Sequence, residues 1–452
     1  MNGEFSAAQG LNPWALGALL LLSGLTLVLP RRLAVAPLLL MLGLMPMGQV
    51  IVLGGFNFHL FRVLLLVGMA RIVLRGELGR LQWRGVDTLF MAWVGVSLVL
   101  GSLSEPSAAL FVNRLGDAYN ATFCYLLVRS VIVDFDDAVI SVRCLAAVSI
   151  LIAGLMLVER TTGVNELSVF GGVPEMTAIR HGDLRCQGAF RHPILAGAFG
   201  ATSAPLFVGL WAWDRGRRLL PFLAVLASLA IVFTSSSSGA MLALLSGFIG
   251  VALWPWRAGL PLMRKAGVLA LLAVALVMNA PVWYLLAHAS TLVGGEGWHR
   301  AWLIDQAVSH VDEWALFGTI RTAHWGPAGE VIAADPTMMD ITNHYVMEGV
   351  KGGALKLLLF IALIVTCFKR SGRYMADASA PVERKFFIWC LGVSLVTHCV
   401  AFLSVNYFDQ TILVWFWLVA VIYGVTQSAP SAAAERLPTG PTLQGDPWLI
   451  RN

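Results

Sequence analysis

Apolar runs long enough to cross a bilayer follow one another along almost the whole chain, at 14–30, 33–53, 58–75, 86–103, 109–128, 138–158, 193–213, 218–234, 239–256, 266–286, 346–368, 385–404 and 409–426. An α-helix rises about 1.5 Å per residue, so roughly 20 apolar residues cover the ~30 Å hydrocarbon core. No soluble domain has an interior large enough to hide this many. Composition closes that alternative: 58% of residues are hydrophobic and 13% charged, against about 25% charged in an ordinary soluble domain. The expectation is an all-α integral membrane protein of about 12–13 transmembrane helices within residues 1–426. The segment 427–452, rich in Ala, Pro and Gly, is expected to be a disordered cytoplasmic tail. The N-terminus lacks the basic region of a cleavable signal, so Leu11–Pro30 is expected to stay as a first span.

The net charge of +5 and pI near 9.0 do not mark a nucleic-acid binder. The basic residues sit between apolar runs rather than in one patch, which is how orientation is encoded. Arg31 and Arg32, Arg75 to Arg84, Arg215 to Arg218, Arg257 to Lys265 and Lys369 to Lys385 alternate with loops that carry no Lys or Arg. The basic side is therefore expected to be cytoplasmic. Two longer segments, about 159–192 and 287–345, fall on the opposite side. Six cysteines show neither a disulfide framework nor Cys/His metal spacing, and no cofactor or metal is expected.

The first of these outer loops runs against its own topology. Arg180, Arg185 and Arg191, with His181 and His192, crowd in front of a span where few cations are expected. A guanidinium fork matches phosphate oxygens, so anion binding accounts for them; pairing with Asp183 and Glu175 or snorkelling to headgroups is the plainer account. In the second loop, Trp298–Ala315 has a helical stripe of Ala301, Ile304, Val308, Val311 and Ala315, which predicts a helix on the membrane surface with Arg300 in its first turn. Arg321, His324, Asp340, Asn343 and His344 follow, and a histidine at the mouth of a bundle is a candidate general base. Asn113, Arg114, Asp117 and Asn120 stud an otherwise apolar stretch, as functional groups or as helix-packing pairs.

These landmarks resemble the O-antigen ligase and polymerase superfamily of bacterial envelope glycosyltransferases. Arg185-Cys186-Gln187-Gly188-Ala189-Phe190-Arg191-His192-Pro193 is similar to that family's Arg-x-x-Gly-Phe stretch before a span, and Thr234 to Gly239 to its serine-rich turn. Arg300-Ala301-Trp302 through Phe317-Gly318 resembles its Arg-x-x-Trp helix. Asn343-His344-Tyr345 with Gly349 and Gly352-Gly353 resembles its His-Asn-x-Tyr segment and glycine-rich helix start. Two positions depart: the serine turn lacks the family arginine, and alignment on Asn343 and Tyr345 puts Thr342 where the family histidine stands.

The resemblance implies a glycosyltransferase C-like fold in the bacterial inner membrane with its active site facing the periplasm. It implies metal-independent inverting transfer of a glycan from an undecaprenyl-diphosphate carrier to lipid A–core or to a growing polysaccharide. Carried to this sequence, Arg300 and His344 become catalytic candidates. Arg180, Arg185, Arg191, His192, Arg321, His324, Asp340 and Asn343 become candidates for binding substrate. Membrane lipids are partners; nucleic acid is not. The rival reading is a transporter or flippase of lipid-linked glycans, which would need its polar groups along a path reaching both faces.

Overall fold

In a computed structural model the chain is an all-α membrane protein trimmed with three short β-ribbons. The structure describes residues 11–427 apart from 54–55, 106, 181, 292–296, 327–330 and 333–334. His181, and the tail beyond residue 427, lie outside the described residues.

The first half comprises α1 (Pro13–Val28), α2 (Ala36–Leu44), a ribbon of β1 (Val50–Leu53) and β2 (Phe56–His59), α3 (Leu60–Leu74), α4 (Gly85–Leu103), α5 (Ala108–Val131) and α6 (Phe135–Thr162). A second ribbon, β3 (Ala178–Arg180) and β4 (Asp183–Arg185), precedes α7 (Pro193–Trp213), α8 (Leu219–Thr234), α9 (Ser238–Ala252) and α10 (Leu260–Val277). The large loop holds α11 (Leu285–Thr291), α12 (Gly297–Ser309), α13 (Val311–Trp314) and the ribbon of β5 (Val331–Ile332) and β6 (Asp335–Met339). Then come α14 (His344–Ala376), α15 (Val382–Ala401) and α16 (Asp409–Gln427).

Local chemistry sets the boundaries. Asn12 caps α1 by accepting from the Trp14 and Ala15 amides at 2.9 and 3.3 Å, with Pro13 in the first turn where its missing N–H costs nothing. Asp134 caps α6 in the same way, and Gly163 ends it at φ +74°. Among the described residues, six helical segments are long and apolar enough to cross a membrane: Gly85–Leu103, Phe135–Thr162, Pro193–Trp213, Trp254–Val277, Val382–Ala401 and Asp409–Gln427. α1, α8 and α9 are apolar but shorter. The expected span at 33–53 is corrected. Its helix, α2, has 9 residues, about 14 Å at 1.5 Å each, and the chain then turns into the β1–β2 ribbon.

α16 lies at the centre, with Trp415 and Trp417 fully buried. α10 lies at the other extreme: none of its residues is buried, and it touches mainly the turns at its own two ends. Ion pairs fasten the basic end of the bundle, including Arg31–Asp137 at 2.5 Å, Arg71–Glu77 at 3.0 Å and Arg143–Asp214. The long loops share the opposite end.

The large loop is docked by a break in α14. Gly352 and Gly353 leave helical geometry, Gly353 at φ +78°. The backbone groups freed there pair with the loop: Thr319 donates to the Val350 carbonyl and Ala354 donates to that of Ala315, both at 2.8 Å. Gly318, at φ +83°, has no room for a Cβ against the Val350 carbonyl. Gly353→Ala adds a side chain in the left-handed region and pushes it at the Leu316 carbonyl. It is expected to cost about 1–3 kcal/mol, read as a lower unfolding midpoint in detergent; an unchanged midpoint would show that the break is not strained.

The loop helix differs from its sequence expectation. It is two pieces, α12 and α13, broken at His310. Its buried face is Ala301, Leu303 and Ala307, packed with Trp325, Met339 and Val350, whereas Val308 and Val311 are exposed. The tryptophans and methionines that β6 and the 323–325 turn supply decide which face is covered, and a helical period alone cannot show that.

Candidate functional site

The arginine-bearing loop is built on one buried carboxylate. Glu159, near the end of α6, accepts from the Gln187 and Gly188 amides at 3.1 and 2.9 Å and from the Thr177 hydroxyl at 3.2 Å. Asn165 donates to the Gly188 carbonyl at 2.8 Å, and Gln410 of α16 donates to that of Ala189 at 2.7 Å. With its backbone groups thus satisfied, the segment 186–190 is buried and presents Arg185 and Arg191 at its two ends.

Arg185 lies beside the serine turn. The Cys186 amide donates to the Thr234 carbonyl at 3.0 Å, and the Ser236 hydroxyl to the Leu184 carbonyl at 3.1 Å. Ser236 holds φ +45°, rare for a residue with a side chain. Arg300, in the first turn of α12, reaches the far end of the same turn, where a Cβ on Gly239 would stand 3.2 Å from the Arg300 Nη2 and 3.0 Å from the Ser404 Oγ.

Electrostatically this cluster is unbalanced. Desolvation lowers the pKa of Arg300; desolvation and then the neighbouring Arg180 lower that of Arg185. Both stay charged at any physiological pH. Neither has a carboxylate partner among the described residues, and the Arg185 Nε is buried without any hydrogen bond. His192 caps α7, its Nδ1 accepting from the Ile194 amide at 3.2 Å. Its ring keeps an open side but is hemmed in by protein. Desolvation, then Arg185 and Arg180, lower its pKa to about 4. Arg185 and Arg180 add to burial in disfavouring a charged His192.

His344 lines a neighbouring cavity of about 180 Å³ between α3, α4, α5, α14 and the start of α16. Its walls carry Arg62, Asp117, His344, Glu348, Lys356 and Asp409. Arg191 pairs with Asp409 at 3.5 Å, and Asp409 holds φ +50°. Glu348 accepts from the Trp93 indole at 2.7 Å and lies 3.3 Å from the Lys356 Nζ and 3.9 Å from the His344 Nε2.

The His344 Nδ1 is committed to the loop before α16, 2.9 Å from the Asn406 Oδ1 and 3.2 Å from the Tyr407 amide. Nε2 is the other ring nitrogen of a residue that lines the cavity, and it is buried without a hydrogen bond. The two contacts ask for opposite tautomers: the Asn406 oxygen for a proton on Nδ1 and a lone pair on Nε2, the Tyr407 N–H for the reverse.

One short segment joins the two clusters. Ser404 meets the serine turn, Asn406 and Tyr407 hold His344, and Asp409 holds Arg191. Two residues of chain span at most about 7 Å, so Ser404 and Asn406 hand one cluster to the next.

Other residues singled out in the sequence lie elsewhere. Arg321 pairs with Glu105 at 3.5 Å, and His324 with Glu313 at 2.9 Å. Asp340 is exposed. Asn343 caps α14, its oxygen accepting from the Tyr345 and Val346 amides. Glu348, Lys356, Trp93, Arg62 and Asp409 were missed. The signal for two of them was present: Glu348 and Lys356 are two charges inside one apolar run.

A scan against models of known protein families gives no match, and a search of curated proteins gives none either.

Proposed function

We propose that this chain is a membrane glycosyltransferase of the O-antigen ligase or polymerase type. It moves a glycan from a polyprenyl diphosphate to an acceptor hydroxyl on the face that carries the long loops, the periplasmic face by the positive-inside reading. One observation carries this: Arg185 and Arg300 flank a hydroxyl-rich turn, partly desolvated, with no carboxylate among the described residues to neutralise them. A diphosphate supplies the missing charge and accepts both guanidinium forks. The sequence resemblance supports the same reading.

In the step itself, the acceptor oxygen bonds to the anomeric carbon as the bond from that carbon to the diphosphate oxygen breaks. The hydroxyl proton passes to the His344 Nε2, which requires the tautomer that the Asn406 oxygen favours. The diphosphate leaves with its charge on Arg185 and Arg300, so the arginines act where charge develops. His192, beside Arg185, can donate a further hydrogen bond from Nε2.

The test is transfer by the purified protein in detergent, given a polyprenyl-diphosphate oligosaccharide and a glycolipid acceptor. A lengthened acceptor is expected without any second compartment. No transfer there, together with movement of labelled donor across reconstituted vesicles, would establish a flippase instead.

A further inference from the structure

On the large loop, away from the arginines, three metal-ligating side chains meet: His310 at the break between α12 and α13, Glu313 in α13, and His324 in the 323–325 turn. Their donor atoms all lie within 4.8 Å of one another. We propose that they form a binding site for a divalent transition-metal ion, with zinc as the best-suited occupant.

The side chains are oriented as ligands are. The His310 Nδ1 lies 2.9 Å from the Gln306 carbonyl, which only accepts; the ring proton is therefore on Nδ1 and the lone pair on Nε2. Such a carbonyl behind the ring is the usual orienting contact of a metal-bound histidine. The His310 ring is fixed by stacking on Trp325, with centroids 5.3 Å apart and planes at 16°. Glu313 is held by the Trp325 indole, which donates to Oε2 at 2.9 Å, while Oε1 lies 2.9 Å from the His324 Nε2. The two imidazoles stand edge to face with centroids 5.3 Å apart.

The donor set selects the ion. Two imidazole nitrogens and one carboxylate oxygen suit zinc and its transition-metal neighbours, not calcium or magnesium, which take all-oxygen shells. At metal–ligand distances of about 2.0–2.2 Å, donors around a tetrahedral ion stand about 3.3–3.6 Å apart. The three side chains therefore close by up to about 1.5 Å. That movement is open to them, because the His324 side chain is 53% exposed and that of Glu313 31%.

Three protein ligands leave a fourth position for water or another donor. An ion here would clamp the α12–α13 corner to the turn that follows it. Ten residues separate His310 from Arg300, about 15 Å along a helix, so this site is distinct from the arginine cluster and does not rest on the proposed glycan transfer.

The test uses the full-length protein in detergent, with any histidine tag removed and metal stripped by chelator. Zinc is titrated by calorimetry, and retained metal is counted by elemental analysis after gel filtration. One equivalent per chain is expected, with an unfolding temperature that rises on adding zinc. His324→Gln, exposed and so tolerated by the fold, is expected to weaken zinc binding at least tenfold, as is Glu313→Gln. No retained zinc in the unaltered protein, or the same stoichiometry and affinity in both variants, would overturn the site.

Discussion

Arg300→Ala is expected to lower glycan transfer by about 10²–10³-fold, the usual loss when one preorganised charge-stabilising group is removed from a reacting centre. Protein level and elution profile should not change. Arg300 has no carboxylate partner among the described residues, so its removal leaves no buried counter-charge orphaned. Losing a desolvated, unpaired cation relieves the apo protein if anything. Arg300→Lys keeps the charge but not the planar fork, and should recover only part of the rate. Turnover of the purified variants, alongside the glycan ladder of cells carrying them, measures this. A normal ladder from Arg300→Ala would remove the diphosphate assignment.

Glu348→Ala is expected to destabilise the bundle by about 3–5 kcal/mol, the loss typical of breaking one half of a buried ion pair. Glu348 and Lys356 are each 3% exposed, and the carboxylate also accepts from the Trp93 indole. Taking it away strands an ammonium and an N–H among aromatic rings. Glu348→Ala with Lys356→Met should recover most of the loss, because the uncompensated charge is then gone. Reversible unfolding in mixed detergent reads both variants. A single-variant loss within the ~0.5 kcal/mol of an ordinary surface change would show that water already solvates the pair.

The apolar helices of a membrane protein were legible because bilayer thickness calls for apolar runs of one length, whatever the packing. α2 was not, since a nine-residue helix and a ribbon are together as apolar as a span. Arg185 and Arg300 were legible as cations placed against the charge asymmetry, and the structure sets both on one serine turn. Arg191 and His344 were legible too, yet His344 lines a different cavity and Arg191 pairs with Asp409 of its wall. Nothing in the spacing shows that Ser404 to Asp409 joins the two clusters, because that segment has no motif and acts through contacts made 60 to 220 residues away. The trio of His310, Glu313 and His324 was passed over for a similar reason. Its last member comes from a turn whose return to the helix depends on the Trp325 contacts.

The two arginines of the serine turn are anchored unequally. Arg185 belongs to a loop riveted to α6, α8 and α16. Arg300 sits on α12, in a loop docked on α14 and following α10, the helix that buries none of its residues. Lipid tails are as apolar as its leucines, so tilting α10 exchanges one hydrocarbon neighbour for another and gives up little packing. On the proposed function, α10 is therefore the side of the bundle that opens most easily toward the lipid, within the plane of the bilayer, while the central helices stay put. A lipid-tethered substrate would use that kind of doorway, reaching the charges from the membrane's flank with its tail never leaving the hydrocarbon.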